Sequence, residues 1–166
     1  MEGGKMEKST IKRKIGVCLM VLAMIVTMIP SWSVTANAAT DYGLVVDYKE
    51  VTSDRTSGDG WSYNPATNTL TLTNYNYSQY GWSYGDYSGG IYCLSNLTIK
   101  LIGNNSVNNT YSHQFNDSCG IYVSGRLTIT GDGSLTTSGG SGVFDNNIYG
   151  RGSYGIMAGG LTVNNG

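Results

Sequence analysis

The sequence predicts an all-β protein, most simply a right-handed parallel β-helix, from its internal repeats, its alternating short strands and its turn-rich composition. A GIY or GIM tripeptide is followed by LTI or LTV in three successive copies. From residue 39 onward glycine, asparagine, serine, threonine and tyrosine dominate, whereas proline, glutamate and lysine are scarce. This composition favours β-structure with frequent turns and differs from that of disordered chains.

The three copies align as one repeating unit. They are GIY at 90–92 with LTI at 97–99, GIY at 120–122 with LTI at 127–129, and GIM at 155–157 with LTV at 161–163. An earlier LTL at 70–72 resembles a degenerate first copy. The first glycines are separated by 30 and then 35 residues, a period typical of solenoid proteins. We therefore expect the copies to stack, with Ile91, Ile121 and Ile156 in one column.

Within each copy, apolar and polar residues alternate as they do in half-buried strands. Ile91, Leu97 and Ile99 are predicted to point inward and Thr98 outward. Residues 39–74 are expected to begin and cap the coil, and the chain is expected to be truncated within a repeat at residue 166. The alternative is an antiparallel β-sandwich, since short strands and frequent turns suit that fold too. A sandwich, however, gives no reason for the same tripeptides to recur in the same order.

The first 38 residues have the layout of a secretory signal peptide. Five lysine and arginine residues precede an uncharged apolar run at 15–29, which is shorter than the roughly 20 residues of a membrane span. Ala36 and Ala38 then occupy the small-residue positions of a signal peptidase site. We expect cleavage after Ala38, secretion, and no membrane insertion of residues 39–166 after cleavage. The alternative is an uncleaved anchor helix.

Charge and cysteine content restrict the partners and cross-links of the mature part. Residues 39–166 carry five basic and nine acidic residues, so no basic patch is expected and nucleic acid is not an expected partner.

The two cysteines after residue 38 are not expected to form a disulfide. In the predicted register Cys93 stacks over Val123, which leaves Cys119 roughly 13 Å away. A disulfide needs Cα atoms within about 7 Å, so we expect two free, buried thiols and no disulfide.

Aromatic residues are concentrated between the repeats, above all in YNYSQYGWSYGDYSGG at 75–90. These segments are expected to leave the coil at one corner and to form a continuous surface. Flat rings beside amides and carboxylates suit a sugar, which offers C–H faces for stacking and hydroxyls for hydrogen bonds. The alternative is that the tyrosines cover the side of the coil. The predicted ligand-binding residues are Tyr75, Tyr77, Tyr80, Trp82, Tyr84, Tyr87, Tyr111 and Tyr149.

Two segments, GWSYNPATNTLTLTNY at 60–75 and GIYVSGRLTITGDGSLTTSGG at 120–140, resemble repeat-built surface proteins of Gram-positive gut and soil bacteria. Those proteins are commonly described as carbohydrate-binding or β-helix domains, and they include calcium-dependent binders of plant cell-wall polysaccharide. The resemblance covers most of the mature chain. It implies a non-catalytic carbohydrate-binding or adhesion module, secreted and in some cases cell-wall associated, whose partner is a polysaccharide or glycan.

Two other functions remain as alternatives: a structural stalk of a larger surface protein, and a polysaccharide lyase or hydrolase that resembles pectate lyase. An enzyme of that kind needs clustered charges, whereas His113, Arg126 and Arg151 are isolated in the sequence. We therefore expect no catalytic residues. No cofactor is expected either, because GGSGVFD at 139–145 only approximates the repeat that binds calcium.

Overall fold

The computed structural model describes residues 38–110, 117–140 and 152–164, and all of them are in strands, turns or connections. Contacts divide the chain into two units, Met1–Asn37 and Ala38–Gly166, and every described residue belongs to the second. Within these described ranges there is no helix with the length and hydropathy needed to cross a bilayer. Because its regular secondary structure consists of strands, the described unit is an all-β domain.

Its strands run from two to fourteen residues, and several of them alternate more buried with more exposed residues. They are β1 (Asp41–Val46), β2 (Lys49–Thr52), β3 (Ser57–Gly58), β4 (Trp61–Asn64), β5 (Thr69–Thr73), β6 (Asn76–Gln79), β7 (Trp82–Tyr84), β8 (Tyr87–Cys93), β9 (Leu97–Ile102), β10 (Asn104–Asn109), β11 (Asp117–Thr130), β12 (Ser134–Ser138) and β13 (Ser153–Val163).

The strands form two sheets. The larger has the order β2-β1-β8-β11-β9-β5-β4-β3, with β13 paired to β11 and β7 paired to β8. The smaller has the order β12-β10-β6, and both of its pairs are parallel. Strand β11 is long enough to pair with β8 through its first half and with β9 through its second half.

The predicted right-handed parallel β-helix is wrong, because the larger sheet is mixed and nearly barrel-like. Antiparallel pairs join β1 to β2 and β8, β4 to β3 and β5, and β7 to β8. Parallel pairs in the same sheet join β11 to β8, β9 and β13, and β9 to β5. The antiparallel sandwich fits in part, since it accounts for these hairpins but not for the parallel pairs.

Tight turns explain two of the antiparallel pairs, β1 with β2 and β7 with β8. Asp47 and Tyr48 both have positive φ, 56° and 59°, and form the two-residue turn between β1 and β2. Two positive φ values are typical of type I′ turns, whose twist matches that of a hairpin. Gly85, with φ 61°, begins the two-residue turn between β7 and β8. The segments expected to be a cap and a loop are therefore β-hairpins.

The predicted stacking of the repeat copies is confirmed. Ile121 on β11 lies between Ile91 on β8 and Ile156 on β13 in the parallel register. The predicted pairing of Cys93 with Val123 is also present. Identical tripeptides thus occupy equivalent positions on neighbouring strands, although the sheet as a whole is mixed.

The first glycine of each repeat lies where the larger sheet approaches the smaller sheet. A Cβ on Gly90 would lie 2.9 Å from Val107 Cγ1 on β10 and 3.1 Å from the carbonyl oxygen of Gly120. A Cβ on Gly120 would lie 2.8 Å from the carbonyl oxygen of Gly155. Since no side chain fits at these distances, the repeated glycine permits close approach of backbone to backbone.

A single hydrophobic core lies between the two sheets, and its largest fully buried side chains are aliphatic. Cys93 and Cys119 are both free and buried, and Cys93 belongs to this core. Burial, with a smaller contribution from nearby Asp117, raises the pKa of the Cys119 thiol to about 12. Such a thiol is protonated at neutral pH and packs as a small apolar group.

A candidate aromatic binding surface

Two of the predicted ligand-binding residues, Tyr75 and Tyr77, are in the hydrophobic core. Only 3% and 4% of their surface is exposed, and their rings stack with centroids 6.4 Å apart. The Tyr77 hydroxyl donates to the carbonyl oxygen of Tyr80. Burial raises the pKa of the Tyr77 phenol to about 12. These two rings therefore support the surface from below and are not available to a ligand.

Asp47 provides the polar contacts that allow large aromatic side chains to be buried here. Its carboxylate accepts hydrogen bonds from Trp61 Nε1 at 2.5 Å and from the Tyr75 hydroxyl at 2.7 Å. It also forms an ion pair with Arg55 at 3.5 Å. Burial, followed by the hydrogen bond to Asp47, raises the pKa of Tyr75 far above its ordinary value. These bonds fix the β1–β2 turn and thus the position of Tyr48, the next residue.

Three tyrosine rings project into solvent near that turn. Tyr80 and Tyr84 are each 66% exposed, and Tyr48 is 54% exposed. Trp82 is half-buried, and its ring meets Tyr48 edge-on with centroids 5.5 Å apart. Trp82 and Tyr84 are two residues apart on β7, so their side chains lie on one face of that strand.

A stack of three rings lies beside Tyr84. The ring of Tyr122 is 4.7 Å from those of both Tyr87 and Tyr92, with interplanar angles of 22° and 19°. Tyr92 and Tyr122 are register partners on β8 and β11. Burial, and then the neighbouring phenols of Tyr122, Tyr84 and Tyr87, raise the pKa of Tyr92 to about 12. The stack is thus a partly buried base beside the exposed ring of Tyr84.

One edge of β8 brings these rings together. Strand β7 pairs with residues 87–89 of β8, and β1 pairs with residues 91–93 along the same edge, because β11 occupies the other. We define the aromatic surface by the five residues that this arrangement assembles; the ring of Tyr92, which is only 3% exposed, is stacked against Tyr122 and supports it. The five are Tyr48, Trp82, Tyr84, Tyr87 and Tyr122.

Sequence reasoning identified only part of this surface. Trp82, Tyr84 and Tyr87 were predicted, and Tyr80 is exposed nearby, whereas Tyr111 and Tyr149 lie outside the described residues. Tyr122 was missed, although it follows the inward Ile121 in GIY and so points away from the core. Tyr48 gave no comparable signal, because its position depends on a turn that lacks glycine.

The chemistry of the surface is that of aromatic faces with phenol groups at their edges. Within the described ranges, no group of three or more histidine, cysteine, aspartate or glutamate side chains is placed to hold a metal ion. The arrangement offers stacking and hydrogen bonding to a ligand, which is what recognition of a polar, ring-containing molecule requires.

Comparisons with protein-family models, with curated proteins and with solved structures found no match to this chain.

Proposed function

We propose that this chain is a non-catalytic, secreted carbohydrate-binding or adhesion module whose aromatic surface contacts a polysaccharide. The observation that carries the proposal is the exposure of Tyr48 and Tyr84 beside Trp82, on hairpins fixed to the edge of a sheet. Soluble proteins seldom expose several large aromatic side chains together unless the patch contacts a partner.

A sugar suits these rings better than a purely apolar ligand does. Each pyranose has a C–H face that packs on an aromatic ring and hydroxyl groups that hydrogen-bond with phenols at the ring edges. Tyr84 offers both, since its ring and its phenol group belong to a side chain that is 66% exposed on β7. A small, apolar partner would leave these phenol groups without hydrogen bonds.

The rigid support of the rings favours binding. Tyr87, Tyr122 and Tyr92 are stacked, and the Trp82 ring contacts Tyr48, so few rotamers are open to the inner rings. Binding then orders few additional side chains, which reduces its entropic cost. The same support makes the surface suitable for an extended polymer, which contacts several rings in sequence.

Titration of the secreted chain with a panel of soluble, uncharged polysaccharides tests the proposal. The variant Trp82→Ala/Tyr84→Ala should bind its best ligand at least about tenfold more weakly, because two stacking contacts are lost. Leu94→Ala is the control, since it removes a side chain that is 53% exposed and outside the aromatic surface. Unchanged affinity in a double variant with normal thermal stability would overturn the proposal.

Two further measurements test the remaining parts of the proposal. N-terminal sequencing of the protein exported by a Gram-positive host should begin at Ala39, the residue after the predicted cleavage site. Prolonged incubation with the bound polysaccharide should leave its chain length unchanged, as expected of a binding module. A different N-terminus would contradict the predicted signal peptide, and shortened chains would indicate an enzyme.

A further inference from the structure

A second face of the larger sheet carries aligned hydroxyl groups. Thr69, Thr98, Thr128 and Thr162 are register partners on the neighbouring strands β5, β9, β11 and β13. Each is partly exposed, while the leucine and isoleucine residues that alternate with them on β5, β9 and β11 are buried. Adjacent strands lie about 4.8 Å apart, so this row is a regular ladder of hydroxyls.

A second row runs beside the first. It contains Thr71, Lys100 and Thr130, which are register partners on β5, β9 and β11 and lie two residues beyond the first row. We call the two rows the threonine face. Neither row contains a carboxylate, and Lys100 is exposed. Among the residues that the structure describes, Lys100 forms no ion pair.

A polar cleft of about 370 Å³ lies beside Thr98 and Thr128, the two middle residues of the first row. Its lining includes Thr67, Asn68, Asn96, Thr98, Arg126 and Thr128. The asparagines are engaged in building the corner, since Asn68 Nδ2 donates to the carbonyl oxygen of Asn96, and Asn96 Oδ1 accepts from the Arg126 backbone N–H at 2.8 Å. The Thr67 hydroxyl donates to Thr69 Oγ1 at 3.0 Å, so the groups of the lining that we assign to a ligand are the Thr98 and Thr128 hydroxyls and the Arg126 guanidinium.

The guanidinium of Arg126 is held by weak contacts. It lies over Gly160, 3.7 Å from where a Cβ would be, and one nitrogen is 3.5 Å from Thr162 Oγ1. It forms no ion pair within the described part of the chain. Since a guanidinium has five N–H donors, most of them are available to an incoming oxyanion.

The two cations are arranged for a polymer rather than for a small anion. Arg126 precedes Thr128 by two residues, and Lys100 follows Thr98 by two on the adjacent strand. Their backbones are therefore offset by about 13 Å along the strands. Two of the four described basic residues share this face, although the acidic residues outnumber the basic ones from residue 39 onward.

We propose that the threonine face and its cleft bind a hydroxyl-rich polymer that carries repeated oxyanions, with Arg126 and Lys100 contacting the oxyanions and the threonines contacting the hydroxyls. The oxyanion is a carboxylate or a phosphate, both of which pair with arginine in the same way. This site is separate from the aromatic surface and does not depend on the ligand of that surface.

Titration with three polymers tests this site: polygalacturonate, its full methyl ester, which has the same backbone without charge, and poly(glycerol phosphate). Wild type should bind at least one of the two polyanions more tightly than the ester, since the ester has no charge for Arg126 and Lys100 to contact. Which polyanion binds identifies the oxyanion. Arg126→Ala/Lys100→Ala should weaken that binding at least about tenfold, since both charge-assisted contacts are lost.

Two control variants make the result specific. Lys49→Ala removes an exposed lysine on β2, outside this face, and should leave polyanion affinity unchanged. Trp82→Ala/Tyr84→Ala should also leave it unchanged, which separates this site from the aromatic surface. The proposal is overturned if neither polyanion binds more tightly than the ester, if Arg126→Ala/Lys100→Ala leaves that binding unchanged, or if Lys49→Ala weakens it as much as the double variant does.

Discussion

Leu127 and Leu161 are register partners on β11 and β13, yet Leu127 is fully buried while Leu161 is 52% exposed. Leu127 also pairs with Leu97 on β9, so it has an apolar neighbour on each side. Within the described residues, no strand pairs with the far edge of β13. The same residue type in the same column therefore contributes differently to stability according to its neighbours.

Leu127→Ala should lower the free energy of unfolding by about 2–5 kcal/mol, because it leaves a cavity in the core. Leu161→Ala should lower it by less than about 1 kcal/mol, since that side chain is already half in water. Chemical denaturation of residues 39–166 measures both values. Equal losses in the two variants would contradict the assigned burial.

Gly120→Ala should be strongly destabilising, although it adds only a methyl group. The added Cβ would lie 2.7 Å from the Val107 carbonyl oxygen and 2.8 Å from that of Gly155, and backbone atoms do not move aside easily. Overpacking of this kind costs about 1–3 kcal/mol or more. The thermal midpoint of unfolding measures the loss.

Gly160→Ala is the matched control for that substitution. A Cβ on Gly160 would meet only the Arg126 side chain, at 3.7 Å, which is an ordinary contact. We expect a change within about 0.5 kcal/mol. A Gly160 variant as unstable as the Gly120 variant would show that close approach is not the reason for the repeated glycine.

The parallel register was predictable because identical tripeptides recur with constant alternation. Ile91, Ile121 and Ile156 form a column for that reason alone. The antiparallel hairpins were not predictable in the same way. The β1–β2 turn uses Asp47 and Tyr48, neither of which is a glycine, so the sequence lacks the usual signal of a type I′ turn.

The candidate site was predictable only where local alternation determines the direction of a side chain. Trp82 and Tyr84 follow that rule on β7. Tyr75 has the same composition around it but is buried, because its hydroxyl reaches Asp47, which is 28 residues away in the sequence. A hydrogen-bond acceptor so far away in the sequence cannot be recognised from the residues around the tyrosine. A high local content of tyrosine therefore predicts more exposed rings than the structure has.

Asn105→Ala should destabilise the domain by more than about 2 kcal/mol, because it leaves buried groups without hydrogen-bond partners. Asn105 is 3% exposed, and its Oδ1 accepts from the Tyr75 backbone N–H at 2.9 Å. Its Nδ2 donates to the carbonyl oxygens of Ile102, Gly103 and Ser134. Urea denaturation measures the effect.

The adjacent residue serves as the control for Asn105. Asn104 is exposed, and its side chain accepts one hydrogen bond from the Ser134 hydroxyl, at 2.9 Å. Asn104→Ala should therefore change the free energy of unfolding by less than about 1 kcal/mol. If both variants lose the same stability, the buried hydrogen bonds of Asn105 do not stabilise the junction of the two sheets.

Stability should fall as pH rises from 10 to 12, because burial raises the pKa of the Tyr77 and Tyr92 phenols to about 12. Below pH 10 both the folded and the unfolded chain keep these protons, so the full stability is present. Above pH 10 the unfolded chain releases them first, and the free energy of unfolding decreases until the folded phenols also ionise.

Urea denaturation at one pH below 10 and at one pH above 10 measures this decrease in the free energy of unfolding. Tyr92→Phe should show a smaller decrease than wild type. Tyr154→Phe, which alters a ring that is 42% exposed, should show the wild-type decrease, and the same decrease in both variants would contradict the role of Tyr92.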